Sequence, residues 1–250
     1  MKWGRFPTIS VAGGSTRLPS NDKLHAVGHG MVGMTRNGVA AFVTAVGLLL
    51  AACQPSGFTY VRNTKDGAYV KFPSTWHYFD DKDILERQAE AAGLTPGRAK
   101  QLDQLQWAVA FDADPNPSLD HLFNEPNGYP LGYARVRLLD EEERDLFSLA
   151  SLRNEFIRFD EIAQSDIGRI EMIKAPEEMT RPDGLRGLHM RFTIRSITGA
   201  MFTYDQTAFV DGATQKAYLL VVGCTVECFE DHKAQIEQII TSWTIKEPQV

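Results

Sequence analysis

Five consecutive apolar residues, Tyr218-Leu219-Leu220-Val221-Val222, constrain this chain more than any other stretch. Successive side chains of a strand point to opposite faces, so a run that is apolar on both parities has to be covered on both. The run predicts a central strand in a sheet with packing layers above and below it. A chain of 250 residues is long enough to build such a core without staples.

The neighbouring segments supply the rest of the sheet. "FTYVR" from Phe58 and "AYVKF" from Ala68 flank Asp66-Gly67, a hairpin signal. A helix is expected from Asp81 to Ala92, with Ile84, Leu85, Gln88 and Ala89 on one side and Gly93 in the stop position. Thr95-Pro96 reads as an N-cap and a first-turn proline, opening a second helix to Leu105. "QWAVAF" at 106–111 and "YARVRLL" at 133–139 read as strands, and 141–153 reads as helix.

Four strand-like runs follow: "RIEMI" from Arg169, "LHMRFTIR" from Leu188, "AMFTYDQTAFV" from Ala200 and "KAYLLVVGC" from Lys216. Asp211-Gly212, between the last two, has the composition of a type I′ hairpin. A closing helix puts Phe229, Ile236, Ile239, Ile240 and Trp243 on one face before the short strand "WTI". The order predicts an α+β fold, a mainly antiparallel sheet packed between helices.

The hairpin segment "GAYVKFPSTW", the early helix and the ending "YLLVVGCTVECFEDHKAQIEQIITSWTI" resemble PsbP-like domains. The resemblance implies an antiparallel sheet between helical layers, with a last helix leading through Ser242-Trp243 into a final strand. It also implies a binding or assembly role, and it transfers no residue role.

Ahead of this domain, Val39 to Ala52 is almost wholly apolar, too short to cross a hydrocarbon core of ~30 Å comfortably, and has the dimensions of a signal-peptide apolar region. Arg36 gives it a positive flank. "LAAC", Leu50-Ala51-Ala52-Cys53, resembles the lipobox of bacterial lipoproteins. That resemblance implies a diacylglyceryl group on the Cys53 thiol, cleavage just before it, and a further acyl chain such as palmitate on the new amino terminus. Two or more chains hold a protein stably at a membrane.

The expected organisation is therefore a non-native or disordered extension at 1–33, a signal peptide at 34–52, a tether at 53–57 and one α+β domain at 58–250. The expected location is the extracytoplasmic face of the cell membrane. Gln54 to Gly57 span about 14 Å at full extension, which keeps the domain close to the lipid.

Residues 1–52 carry a net charge of +4 and residues 53–250 a net charge of −10. So acidic a segment repels phosphate backbones, which excludes nucleic acid as a partner. The expected partners are membrane lipid through the acyl anchor, and an envelope protein or a small anionic ligand.

Cys224 and Cys228 in "CTVEC" are spaced for a disulfide where a strand passes into a helix. Adding His232 gives an alternative, a metal-handling lipoprotein holding copper or zinc on two thiolates and an imidazole. "DADPNPSLD" from Asp112 has alternating oxygen ligands as in a calcium loop. Pro117 and Phe123 stand where that loop needs Gly and Glu, so it reads as two proline turns with Ser118 capping a short helix.

In "LHMRFTIR", His189, Arg191, Thr193 and Arg195 share one parity, as Arg135 and Arg137 do in "YARVRL". Were these strands neighbours, the five basic residues would form a face for an anion or lipid headgroup. The competing expectation is that the arginines pair with acidic helices such as "DEEERD" at 140–145. The segment after Cys53 contains His77, His121, His189 and His232 but no G-x-S-x-G, H-E-x-x-H or glycine-rich phosphate loop. The expectation is a non-catalytic protein without a cofactor.

Overall fold

The computed structural model describes residues 57–123, 128–163, 169–196 and 198–246. The stretches expected to be an extension, a signal peptide and a lipobox-like segment with Cys53 lie outside the described residues. In chain order the first half contains β1 (Phe58–Asn63), β2 (Ala68–Pro73), β3 (His77–Phe79), α1 (Asp81–Ala91), α2 (Pro96–Leu105), β4 (Gln106–Asp112) and α3 (Asp120–Phe123). Then come β5 (Leu131–Leu138), α4 (Glu141–Leu146), α5 (Leu149–Arg153), α6 (Phe159–Ala163) and β6 (Ile170–Thr180). The chain closes with β7 (Arg186–Arg195), β8 (Met201–Val210), β9 (Lys216–Thr225), α7 (Val226–Ser242) and β10 (Thr244–Ile245).

Seven strands form one sheet in the order β3-β4-β5-β9-β8-β7-β6, and β1-β2-β10 form a second, three-stranded sheet. Each pairing among them is antiparallel. The apolar run lies in β9, the fourth strand of the large sheet, and its parities separate as expected. Tyr218, Leu220 and Val222 join the core shared with Phe229, Ile236 and Ile239 of α7 and with Val70, Phe72 and Ile245 of the small sheet. Leu219 and Val221 join the opposite core, with Ile84 of α1, Leu152 of α5 and Phe159 of α6. The fold is α+β, a mainly antiparallel sheet packed between helices.

Local chemistry fixes the element ends. Asp80 caps α1 by accepting from the amides of Lys82 and Asp83, while the Asp83 side chain accepts from the Asp80 amide. Gly67, with φ at +68°, closes the β1-β2 hairpin, and a Cβ there would overlap the carbonyl oxygen of Lys246 as β10 passes.

Three local expectations are corrected. The helix read at 141–153 is two helices, because Ser148 adopts extended backbone and starts α5 with its own capping box to Ser151. The β8-β9 connection is not a two-residue I′ turn. Its Asp211 side chain accepts from the amides of Gln215 and Lys216, and its left-handed residue is Thr214, at φ 54°, instead of Gly212. "RIEMI" extends to Thr180 through Pro176, which the edge position of β6 and a register shift between Lys174 and Glu177 accommodate.

Candidate functional site

The basic residues singled out on β5 and β7 do not share a face. Two strands, β9 and β8, lie between β5 and β7, which separates them by about 14 Å. Arg135 is opposite Leu219, Leu219 is opposite Ala208, and Ala208 is opposite Leu188. Arg135 therefore points to the face of Leu188, and His189 points to the other one. A single face of Arg135, Arg137, His189, Arg191 and Arg195 is corrected to two clusters, with Arg195 exposed at the far end of β7.

The first cluster is built on Glu155, in the turn after α5. Its carboxylate accepts from Arg135 Nη2 at 2.8 Å and from Arg137 Nε and Nη2 at 3.0 and 2.7 Å. Arg137 Nη1 also donates to both oxygens of Glu143, at 2.9 Å each. The Glu155 side chain is only 3% exposed. Burial alone would raise its pKa, but the Arg137 hydrogen bonds and the two guanidinium charges hold the carboxyl below the usual carboxylate range. Burial opposes the charge on Arg137, but the hydrogen bonds and charges of Glu155 and Glu143 outweigh it and raise the guanidinium pKa. Tyr133, beside them, has its phenol pushed up by burial.

The second cluster is built on Asp205 of β8, whose side chain is 1% exposed. His189 Nε2 meets Oδ1 at 2.6 Å, and Arg191 donates from Nε and Nη2 to Oδ2 at 2.9 and 2.6 Å. Arg191 Nη2 also reaches Glu237 of α7 at 3.2 Å, and its guanidinium lies 5.1 Å from the centroid of the Phe229 ring. Glu155 and Asp205 were not visible in the sequence as site residues. Each is one acid among 32 acidic residues, and only the tertiary arrangement selects it.

In "DADPNPSLD" the oxygens fold the loop. The buried Asp112 carboxylate accepts from the amides of Asp114 and Ser118 and meets His121 Nδ1 at 2.7 Å. Among the described residues no cluster of His, Cys, Asp and Glu is arranged to hold a metal ion. Cys224 and Cys228 are joined by a disulfide, with Cα atoms 5.9 Å apart. His232 Nδ1 lies 2.9 Å from the Cys228 carbonyl oxygen. The copper or zinc reading of Cys224, Cys228 and His232 is corrected accordingly, since the bond consumes both thiolates.

A cleft of about 500 Å³ opens between the hairpin turn and the start of β4, lined by Lys65, Asp66, Asp81, Asp103, Trp107 and Lys216 among others. Lys216 Nζ donates to Asp66 Oδ1 at 2.9 Å and Asn63 Nδ2 donates to Asp66 Oδ2 at 2.7 Å. Asp81 accepts from the Ala108 amide at 2.8 Å. Burial pushes the Asp81 carboxyl up, with Asp103 and Asp80 adding to the effect and the Ala108 hydrogen bond opposing it. The residues of the cleft come from distant segments, which is why no linear motif marks it.

No protein-family model matches the chain, and no curated protein matches its sequence. Among solved structures, the chain is similar in arrangement to cyanobacterial PsbP (CyanoP) from Synechocystis sp. PCC 6803. The identity is 14%, over 79% of this chain and 99% of that one, with a TM-score of 0.47. It is also similar to LpqN, involved in cell envelope biogenesis of Mycobacterium tuberculosis. There the identity is 12%, over 76% of this chain and 90% of that one, with a TM-score of 0.40. The Ran-binding protein Mog1p of Saccharomyces cerevisiae matches at 10% identity, over 75% of this chain and 95% of that one, with a TM-score of 0.36. No residue role follows from likenesses at this level.

Proposed function

We propose that the chain is an extracytoplasmic lipoprotein, anchored by acyl groups on Cys53, whose PsbP-like α+β domain is a non-catalytic binding or assembly module of the cell envelope. Its partners are membrane lipid, through the acyl anchor, and an envelope protein. The observation that carries the non-catalytic reading is the commitment of Glu155 and Asp205. Each buried carboxylate is engaged by two basic side chains of the protein itself, an arrangement that fixes strands and helices. The same commitment removes the arginine face as an anion site.

Export is supported by the lipobox, the apolar run before it and the Cys224–Cys228 disulfide, a bond that persists in oxidising compartments. Native mass spectrometry of the protein extracted gently from its own membranes tests the proposal. The expected species starts at an acylated Cys53, lacks two hydrogens at the disulfide, carries no metal and retains a partner. An amino terminus without lipid overturns the anchor. Reduced cysteines with stoichiometric metal overturn the binding-module reading in favour of metal handling.

A further inference from the structure

The outer face of the small sheet differs from the rest of this acidic protein. Facing inward, Val61, Val70, Phe72 and Ile245 are buried in the core. The opposite parity exposes Tyr60 and Arg62 on β1 and brings Tyr69, Lys71 and Pro73 to the surface of β2. Phe58 pairs with Pro73, Tyr60 with Lys71 and Arg62 with Tyr69, so aromatic and basic side chains alternate across the strands. Lys71 Nζ lies 4.8 Å from the centroid of the Phe58 ring, and Lys246 Nζ lies 5.9 Å from that of Tyr69.

Neither β1, β2 nor β10 contains an acidic residue, while residues 53–250 carry a net charge of −10. Several cations elsewhere are neutralised internally, as at Arg135, Arg137, Arg191 and Lys216. Among the described residues Arg62, Lys71 and Lys246 form no ion pair, and Lys71 and Lys246 lie over ring faces. Tyr60 is 57% exposed in the middle of the face.

We infer that this face, carrying Phe58, Tyr60, Arg62, Tyr69, Lys71 and Lys246, lies against the anionic headgroups of the membrane that holds the protein. Two observations select that occupant. Basic side chains beside amphipathic rings match an interface in which phosphates lie over the upper acyl region. The face also begins at Phe58, five residues after Cys53, within about 18 Å of the lipid. This second argument rests on the anchor proposed above. An anchor already at the surface makes the contact intramolecular, so weak individual attractions suffice. Three cations near an anionic leaflet together favour the docked orientation on the order of a hundredfold.

The test is hydroxyl-radical footprinting of the protein purified from its own membranes and reconstituted into vesicles of phosphatidylglycerol with phosphatidylcholine, or of phosphatidylcholine alone. Leu146, 74% exposed on α4, is the internal reference. Oxidation of Tyr60 is expected to fall several-fold in the anionic vesicles only. It should recover in 0.5 M salt and in the R62E/K71E/K246E variant, with Leu146 unchanged throughout. Equal oxidation of Tyr60 in both vesicles overturns the inference, as does protection that appears in native membranes but not in protein-free vesicles, which would assign the face to a protein partner. The mass of the Cys53 peptide from the same preparation tests the anchor separately. An acylated peptide with unprotected Tyr60 removes the surface alone. An unacylated protein that still floats with anionic vesicles, with Tyr60 protected, removes the anchor alone.

Discussion

Glu155 Oε1 lies 2.7 Å from Arg137 Nη2, and the same carboxylate takes Arg135 from the neighbouring position of the same strand face. One buried acid in a turn thus fixes α5 against β5, and two guanidinium groups depend on it for neutralisation. Removing one partner of a buried ion pair leaves the other charge uncompensated. Glu155→Gln is expected to lower the free energy of unfolding by about 3–5 kcal/mol, measured by urea denaturation. The depressed carboxyl gives the loss a pH signature. Its contribution is complete above the unfolded glutamate pKa of about 4.3 and disappears as pH falls through the lower folded value. The stability difference between wild type and E155Q should therefore be constant above about pH 4.3 and shrink as pH falls from there through the folded value.

Much of this architecture can be read from the sequence, because period-2 patterning and turn chemistry are local. The parities of Tyr218 to Val222 identify a strand covered on both faces, and Thr95-Pro96 locates the start of α2, with the proline in the first turn. What the pattern does not carry is the relative phase of distant strands. Alternation puts Arg135 with Arg137, and His189 with Arg191, but it does not relate one strand to the other. The insertion of β9 and β8 between them, which sets that relation, is a long-range choice. Glu155 lies in a turn with no period at all. Thr214 takes the left-handed conformation at a loop where Asp-Gly composition pointed to a different turn, because the Asp211 side chain organises five residues there instead of two.

The Asp205 cluster offers a sharper test of pairing against mere burial. Asp205→Leu leaves Arg191 with only the half-exposed Glu237, and Arg191→Met leaves the carboxylate with His189 alone. Each single change is expected to destabilise by about 3–5 kcal/mol. The double variant should be more stable than the two single losses predict, by 1 kcal/mol or more, because neither member of the Arg191–Asp205 pair then remains without the other. Additive losses in a double-mutant cycle would mean that the two side chains contribute independently.

Two glycines with positive φ separate backbone strain from steric overlap. Gly67 and Gly93 have φ of +68° and +59°, but only Gly67 has a neighbour where a Cβ would stand, the Lys246 carbonyl. Gly93→Ala is expected to cost about 1–2 kcal/mol, from the left-handed backbone alone. Gly67→Ala must also displace the Lys246 amide from its hydrogen bond to Gly67 O, and with it the end of β10. Thermal unfolding of the two variants side by side should give the larger Tm decrease for G67A. Equal decreases would show that β10 gives way without cost.

Tyr78 provides a titration that can be followed directly. It sits on β3 against Phe72, ring centroids 6.0 Å apart. Burial, and then the charges of Asp80, Asp81 and Asp83, push its phenol from 10.0 to about 12. Phenolate absorbance should therefore include a tyrosine rising near pH 12, and Tyr78→Phe should remove that one equivalent while leaving Tyr133, whose phenol burial also raises. Because the folded value lies above the unfolded one, the stability linked to this group is complete below about pH 10 and is lost as pH rises from there through about 12. Wild type and Tyr78→Phe should then differ in alkaline stability within that interval, the variant being the less sensitive to pH. A wild-type minus Tyr78→Phe difference titration finished by pH 11 would mean that water reaches the phenol and that the acidic start of α1 does not act on it.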